Sequence, residues 1–460
     1  MPNRACAGLV WLPHMRRTAE DETTIMFGYY LKLGLKSLRR NPVLTALMVF
    51  GIALGIAASM TSFTVFYLMG GDPIPWKSDR LHAVQVDNWD ANEAFDDKGR
   101  LPDQMTYIDA KALMAAAKAD HQAAMFKVAL PIQPDNRDVK PYLEIGRATY
   151  ADFFAMFEPP FQYGGPWNAE QDANSARVTV LTQETNEKLF GGADSVGRTV
   201  RFNNVEYSVV GVLAHWHPRV KYYDVTNGPL TDAEAAYLPF TTAIDLRLDS
   251  TGNNNCWKNA DPGWEGFLAS DCIWIQFWVQ LDSREKLDAY KSFLDAYVTE
   301  QKKQGRFPRP VATLLPDVNQ WLSLQEVVSR DVEIQVGLAF AFLAVCLVNT
   351  VGLLLAKFMR KSGEIGLRRA LGASRQQLFM QHLVEAGVVG ISGGLVGLVL
   401  TAAGLMGVRV LYTQFKNIAQ LDWTMIAITL LLSVASALLA GLFPTWRACK
   451  VQPATQLKTQ

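Results

Sequence analysis

IQVGLAFAFLAVCLVNTVGLLL (334–355) carries no charged residue. A helix of about 20 apolar residues crosses a hydrocarbon core of about 30 Å, so this stretch reads as a membrane span. Working outward, three more runs have the same character: VEAGVVGISGGLVGLVLTAAGLMGV (384–408), TMIAITLLLSVASALLAGLF (424–443) and VLTALMVFGIALGIAASMTSFTVFYLM (43–69). One such run could be a buried helix of a soluble protein. Four, three of them crowded into the last third of the chain, indicate a membrane protein. The composition agrees, with 49% apolar and only 19% charged residues in 460. Lys+Arg and Asp+Glu stand at 44 each, which leaves no cationic surplus for nucleic acid, so nucleic acid is not an expected partner.

The placement of cations sets the orientation. Lys32, Lys36, Arg39 and Arg40 precede the first span; Lys357, Arg360, Lys361, Arg368, Arg369 and Arg375 lie between the second and third; Arg447, Lys450 and Lys458 follow the fourth. Between spans three and four stand only Arg409 and Lys416, offset in part by Asp422. All three clusters then share the cytoplasmic side, membrane lipid is a contact throughout, and both termini are cytoplasmic in a bacterial inner membrane. The expected fold class is an α+β membrane protein with four transmembrane helices and one large mixed α/β periplasmic domain inserted between helices 1 and 2.

The expected boundaries follow. Residues 1–25 read as a disordered extension, with Met26 a plausible start. Residues 26–42 form a cytoplasmic amphipathic segment with Phe27, Tyr30, Leu31 and Leu35 on one face. Span one is 43–69, the periplasmic domain with its stalk 70–333, and span two 334–357. A cytoplasmic loop covers 358–383, span three 384–408, a short periplasmic loop 409–423, span four 424–443 and a cytoplasmic tail 444–460.

Within 70–333, LHAVQVD (81–87), VTVLTQ (178–183) and IWIQFWVQL (273–281) read as strands, the last with aromatic residues suited to a half-buried sheet. TVRFNNVEYSVVGVL (199–213) reads as a hairpin turning at Asn203-Asn204. MTYIDAKALMAAAKA (105–119), ETNEKLFGG (184–192) and SREKLDAYKSFLDAYVTEQKKQ (283–304) read as helices, the last capped by Ser283. Cys256 and Cys272 are the only cysteines here, and an oxidising compartment would let them bridge; two free thiols are the alternative.

No G-x-x-x-x-G-K-[ST], H-E-x-x-H, C-x-x-C or G-x-S-x-G occurs. His215-Trp216-His217 is the nearest approach to a metal signal, and it reads as a solvated turn. No catalytic, cofactor-binding or metal residue is therefore assigned, and the chain reads as a non-enzyme. Gly51 and Gly55 form a G-x-x-x-G in span one, and Gly390/Gly394 and Gly393/Gly397 form two in span three, marking close helix packing within or between subunits. Asn349, polar inside span two, reads as a helix-to-helix hydrogen bond.

The loop GEIGLRRALGASRQQLF (363–379) is punctuated as a short amphipathic helix. Gly363 and Glu364 open it, with the acid where the helix dipole favours one. Leu367 and Leu371 share a face that Ile365 extends, and Gly372 caps the end. Ser374 with Gln377 makes a capping box for the following helix. Such a helix docks against something, either lipid headgroups or a partner protein.

GEIGLRRALGASRQQLFMQHLVEA resembles the signature loop of the MacB/FtsX-type permease family of ABC transporters. LKLGLKSLRRNPVLTALMVFGIALGIAASM, VTVLTQETNEKLFGGADSVGRTVRFNNVEYSVVGVL and GLFPTWRACKVQPATQLK are similar to other parts of that family, while 214–272 looks particular to this chain. The resemblance implies a homo- or heterodimeric permease whose ATP and Mg sit on a separate ABC ATPase subunit, with no cofactor in this chain. It implies that Glu364, Ile365, Leu367, Arg368, Arg369, Leu371, Gly372 and Ser374 form the coupling helix meeting that ATPase. SLQEVVSRDVEIQVG (323–337) would be a helical stalk transmitting motion to the outer domain. A periplasmic adaptor and an outer-membrane channel are implied partners. Three functions stay open: efflux of peptides, antibiotics or similar amphiphiles by a MacB-like pump, lipoprotein release, and FtsX-like signalling to a cell-wall hydrolase. FtsX relatives usually have a smaller outer domain, which weighs against the last.

Overall fold

The computed structural model describes residues 19–134, 140–411 and 423–449, with side chains from residue 28 onward. Most of the expected disordered extension, most of the 409–423 loop with Lys416 and Asp422, and Lys450 and Lys458 of the tail lie outside the described residues. Tyr67–Arg330 forms one compact unit and the described residues outside it form a second.

The chain begins with α1 (Ala19–Arg40) and α2 (Pro42–Gly70). Residues 19–25, within the expected extension, are the first part of helix α1. There follow β1 (Leu81–Ala83), β2 (Gln85–Val86), α3 (Tyr107–Ala116), β3 (His121–Gln133), β4 (Tyr142–Thr149), α4 (Asp152–Phe157), β5 (Phe161–Gly164) and α5 (Ala169–Ala173). Next come β6 (Val178–Leu181), α6 (Gln183–Phe190), β7 (Thr199–Phe202), β8 (Val205–Leu213), β9 (Ala236–Pro239), α7 (Phe240–Asp245), α8 (Trp264–Leu268) and β10 (Gln276–Gln280). The outer unit closes with α9 (Arg284–Lys303), β11 (Thr313–Leu314) and α10 (Val318–Leu324). The membrane unit resumes with α11 (Arg330–Arg360), α12 (Ser362–Ala370), α13 (Arg375–Leu411) and α14 (Trp423–Cys449).

Nine strands form a mixed sheet in the order β1-β10-β3-β4-β9-β6-β8-β5, with β7 paired to both β3 and β8. Alternate residues of β3 enter different cores. Ala124 and Phe126 join the cluster beneath α3 and α9, with Leu113, Leu294 and Val298, whereas Ala123 and Met125 join the one containing Phe153, Phe157 and Trp321. Helices therefore cover both faces. Strand β10 is consequently buried at every position, not half-buried, because a sheet covered twice has no solvent face. The 81–87 stretch is also corrected: it divides at Val84, β1 pairing with β10 and β2 with β11.

Local chemistry explains the element ends. Asn203 and Asn204 both adopt positive φ at the β7–β8 turn, the left-handed conformation asparagine tolerates. Ser283 Oγ accepts the Lys286 backbone N–H at the start of α9. Cys256 and Cys272 are disulfide-bonded, their Cα atoms 4.2 Å apart, and staple the segment containing α8 against the core residue Trp274, on which Phe267 packs at 5.1 Å. Arg147 on β4 is fully buried and pairs with Asp224 and Glu234, while Lys221 reaches Glu234 at 3.3 Å. The Arg147 guanidinium and its neighbours hold the Glu234 carboxyl well below the glutamate range against a large opposing effect of burial.

The 323–337 stalk expectation is corrected as well. Helix α10 ends at Leu324, Glu326 takes φ +49°, and α11 starts only at Arg330. Val327 turns back into the outer core, and that burial competes with an uninterrupted helix.

Among the described residues, α2, α11, α13 and α14 are long and apolar enough to cross a membrane. The glycines of α13 serve two neighbours. A methyl group on Gly393 or Gly397 would stand 2.8 or 3.1 Å from Ile52 or Ile56 of α2, while Gly390 and Gly394 abut Ala437 and Ser433 of α14. On α2, the same addition at Gly55 would meet Leu343 of α11 at 2.8 Å, whereas Gly51 has Thr350 only at the edge of contact, 4.0 Å away. Helix α14 runs past Phe443 through the buried Pro444 to Cys449, so the start of the expected 444–460 tail is helical.

Candidate functional site

The amphipathic loop between the second and third spans is helix α12, and it opens one residue earlier than read, at Ser362. Its end is set by Gly372, whose φ of +102° few other residues adopt, with the Ala373 N–H returning to the Arg368 carbonyl at 3.0 Å. Ser374 Oγ then accepts the Gln377 N–H at 3.2 Å, and the Gln377 side chain accepts the Ser374 N–H at 3.0 Å, which starts α13.

Leu367 and Leu371 lie one turn apart and are 58% and 80% exposed. Ile365 does not extend their face. Two residues along a helix is about 200° of rotation, and Ile365 is accordingly 3% exposed, packed into the bundle core with Phe358, Leu378 and Ala448. The short helix thus has an anchoring side and a presenting side.

The polar residues divide similarly. Glu364 accepts from Arg368 at 2.8 Å and from Arg40 of α1 at 3.3 Å, and Arg368 also donates to Gln381 of α13 at 3.0 Å. Glu364 and Arg368 therefore tie α12 to its own bundle while remaining about a third exposed at the rim. Arg369 is half-buried on the adjoining turn.

Beneath this rim sits a charge cluster that carries no motif. Glu385 of α13, 3% exposed, faces Lys357 of α11 at 2.7 Å, Lys361 at 3.3 Å and His382 at 3.5 Å, and accepts a hydrogen bond from Ser37 of α1. Lys357 is fully buried. One carboxylate thus links α1, α11 and α13 at the root of α12. A lone acid one residue inside an apolar run was the available signal, since ionised groups in such runs are retained only where they are paired. A cleft of about 340 Å³ opens beside the cluster, lined by Gly34, Ser37, Arg40, Glu364, Arg368 and Glu385 among others.

Asn349 is exposed on α11 and makes no hydrogen bond within the chain among the described residues, so the expected helix-to-helix bond is not made inside this chain. It shares its exposed stripe with Leu338, Phe342 and Val345.

Residues 45–297 match the MacB-like periplasmic core domain, and residues 336–453 match the FtsX-like permease C-terminal domain. A macrolide export ATP-binding/permease protein MacB from Azoarcus sp. (strain BH72) is 23% identical over 453 residues, covering 97% of this chain and 61% of its own length. The protein of the same name from Escherichia coli O6:K15:H31 is 22% identical, covering 94% of this chain and 60% of its own. The chain thus spans about three fifths of the curated relatives it matches. Among solved structures, the periplasmic region of MacB from Actinobacillus actinomycetemcomitans aligns with a TM-score of 0.36 at 14% identity, over 56% of this chain and 96% of that one. With the periplasmic core domain alone matching more than half of its residues, and four apolar helices before and after that domain in sequence, the chain belongs to the MacB/FtsX-type family of ABC transporter permeases.

Proposed function

We propose that this chain is the permease subunit of a MacB-like ABC transporter. ATP hydrolysis on a separate ATPase subunit moves α12, and the motion passes through α11 and α2 to the periplasmic domain, driving efflux of peptides, antibiotics or similar amphiphiles. The observation that carries the reading is the polarity of α12: Leu367 and Leu371 present an apolar pair, while Ile365, Glu364 and the Glu385 cluster fix the helix from behind. A mobile surface helix would not need a buried carboxylate at its root, whereas a helix that transmits force does. The relatives' shared name, ATP-binding/permease, links a permease of this kind to ATP binding.

In this account Leu367, Arg369 and Leu371 touch the ATPase, Glu364 and Arg368 form the rim of the contact, and Ile365, Gly372 and Ser374 set the shape of α12. The loop and both termini are cytoplasmic, and no chemistry is assigned to this chain. Exposed Asn349 supports a second permease subunit, because a side-chain amide facing lipid along a stripe of Leu338, Phe342 and Val345 is costly until a partner satisfies it. A periplasmic adaptor and an outer-membrane channel complete the path.

Purification of the chain from its native membrane in mild detergent, with mass spectrometry of the proteins retained, tests this. A P-loop ATPase retained by wild type and lost from Leu367→Asp/Leu371→Asp supports the proposal. No ATPase with either protein overturns it.

A further inference from the structure

Beyond the transport reading, the outer domain brings together three metal-ligating side chains that sequence spacing separates. His215 and His217 follow β8, and the residue between them, Trp216, is partly buried against the core, stacked on Tyr223 at 5.7 Å and edge-on to Phe153 at 6.3 Å. The two histidines meet Glu184, in the first turn of α6, an element docked beside β8. His215 Nδ1 lies 3.3 Å and His217 Nε2 3.1 Å from the same oxygen, Glu184 Oε1. One nitrogen or oxygen from each of the three residues falls within 4.8 Å of the others, and the imidazole centroids are 4.5 Å apart.

These separations fit a known coordination figure. Bonds of about 2.0–2.1 Å at the tetrahedral angle place two ligand atoms about 3.3 Å apart, which is the spacing of Glu184 Oε1 from each imidazole nitrogen. The imidazole nitrogens need only small side-chain rotations to complete the figure, and His215 and Glu184 are exposed enough to make them.

The geometry points to a divalent transition-metal site, of Zn2+ type, formed by Glu184, His215 and His217 on the periplasmic domain, with its remaining coordination position open to solvent. Two imidazoles and one carboxylate suit borderline ions such as Zn2+, and by affinity order Cu2+, over the hard ions Mg2+ and Ca2+. The ion would pin the start of α6 to the loop leaving β8, so it ties two elements through side chains that otherwise share a single oxygen.

The full chain in detergent, stripped with chelator, is titrated with Co2+ and then with Zn2+. Wild type is expected to bind one Co2+ with the visible ligand-field bands of low-symmetry four- or five-coordination, to lose those bands on adding Zn2+, and to gain thermal stability from Zn2+. Glu184→Gln and His217→Ala are expected to weaken Zn2+ binding by at least about tenfold, and to unfold near the wild-type temperature in chelator because neither side chain belongs to the hydrophobic core. A Cys6→Ser/Cys346→Ser/Cys449→Ser variant should bind as wild type does, which separates this site from the thiols outside the disulfide. Absence of the Co2+ bands in wild type, or Zn2+ binding unchanged in both ligand variants, would show the cluster to be an ion-paired turn and overturn the assignment.

Discussion

Replacing Glu385 with glutamine keeps the side chain's shape and removes the charge that faces Lys357 at 2.7 Å and Lys361 at 3.3 Å. With an effective dielectric constant of about 20, these pairs are worth about 6 and about 5 kcal/mol in Coulomb energy, against which stand several kcal/mol of desolvation for each buried ion. Breaking such a buried arrangement from one side costs about 3–5 kcal/mol, because Lys357, fully buried, is left without a counter-charge. Glu385→Gln should therefore lower the unfolding free energy of the detergent-solubilised chain by that amount, read by tryptophan fluorescence during denaturant unfolding. Lys357→Met on the Glu385→Gln background should restore most of the loss, since it removes the orphaned ammonium. The pair of measurements separates an ion-pair network from simple packing. A Glu385→Gln cost below about 0.5 kcal/mol, or a Lys357→Met effect that merely adds to it, would refute the reasoning. The same variant should weaken association with the ATPase even though Glu385 lies beneath the surface, because α12 loses its root.

Asp172, buried against the Trp167 indole and the Ala151 amide, has its carboxyl pushed up to about 6 from 3.8 by burial, with Asp152 adding to the rise. A raised acid stabilises the fold in its protonated form, so this contribution is present below about pH 4 and is lost as pH climbs to about 6. Asp172→Asn should remove about 3 kcal/mol of that decline, and an unchanged slope of stability with pH between wild type and variant would contradict the assignment. Cys256→Ser/Cys272→Ser should cost the outer domain about 3 kcal/mol by releasing a loop whose ends are 16 residues apart, measured as a lower unfolding midpoint that reductant does not lower further. Asn349→Leu should weaken permease self-association by about 1 kcal/mol, roughly fivefold, in a dilution assay in micelles, and an unaltered dimer fraction would remove Asn349 from the interface.

Much of this architecture was legible because membranes impose a length requirement that sequence displays directly. The four spans, the Asn203-Asn204 turn, the Ser283 cap and the Ser374–Gln377 box all rest on local chemistry that needs no tertiary knowledge. What escaped depends on contacts between distant segments. Strand β10 reads as half-buried until helices are known to cover both faces of its sheet. The break after Leu324 follows from Val327 returning to the outer core, which no local propensity announces. Ile365 sits two positions from Leu367 and was grouped with it by hydrophobicity, although helical rotation opposes them. The Glu385 cluster joins residues 37, 357, 361, 382 and 385, and the Glu184 triad joins 184 to 215 and 217; each is assembled only by folding.

The central claim is that α12 meets an ATPase through one side alone. A photo-crosslinking amino acid placed in turn at positions 371, 367 and 365, activated in native membranes and followed by mass spectrometry of the adducts, tests it most directly. The account predicts a P-loop ATPase adduct from 371 and 367, and only intramolecular products from 365. Lipid adducts without ATPase from 371 and 367, or an ATPase adduct from 365 equal to theirs, would contradict it.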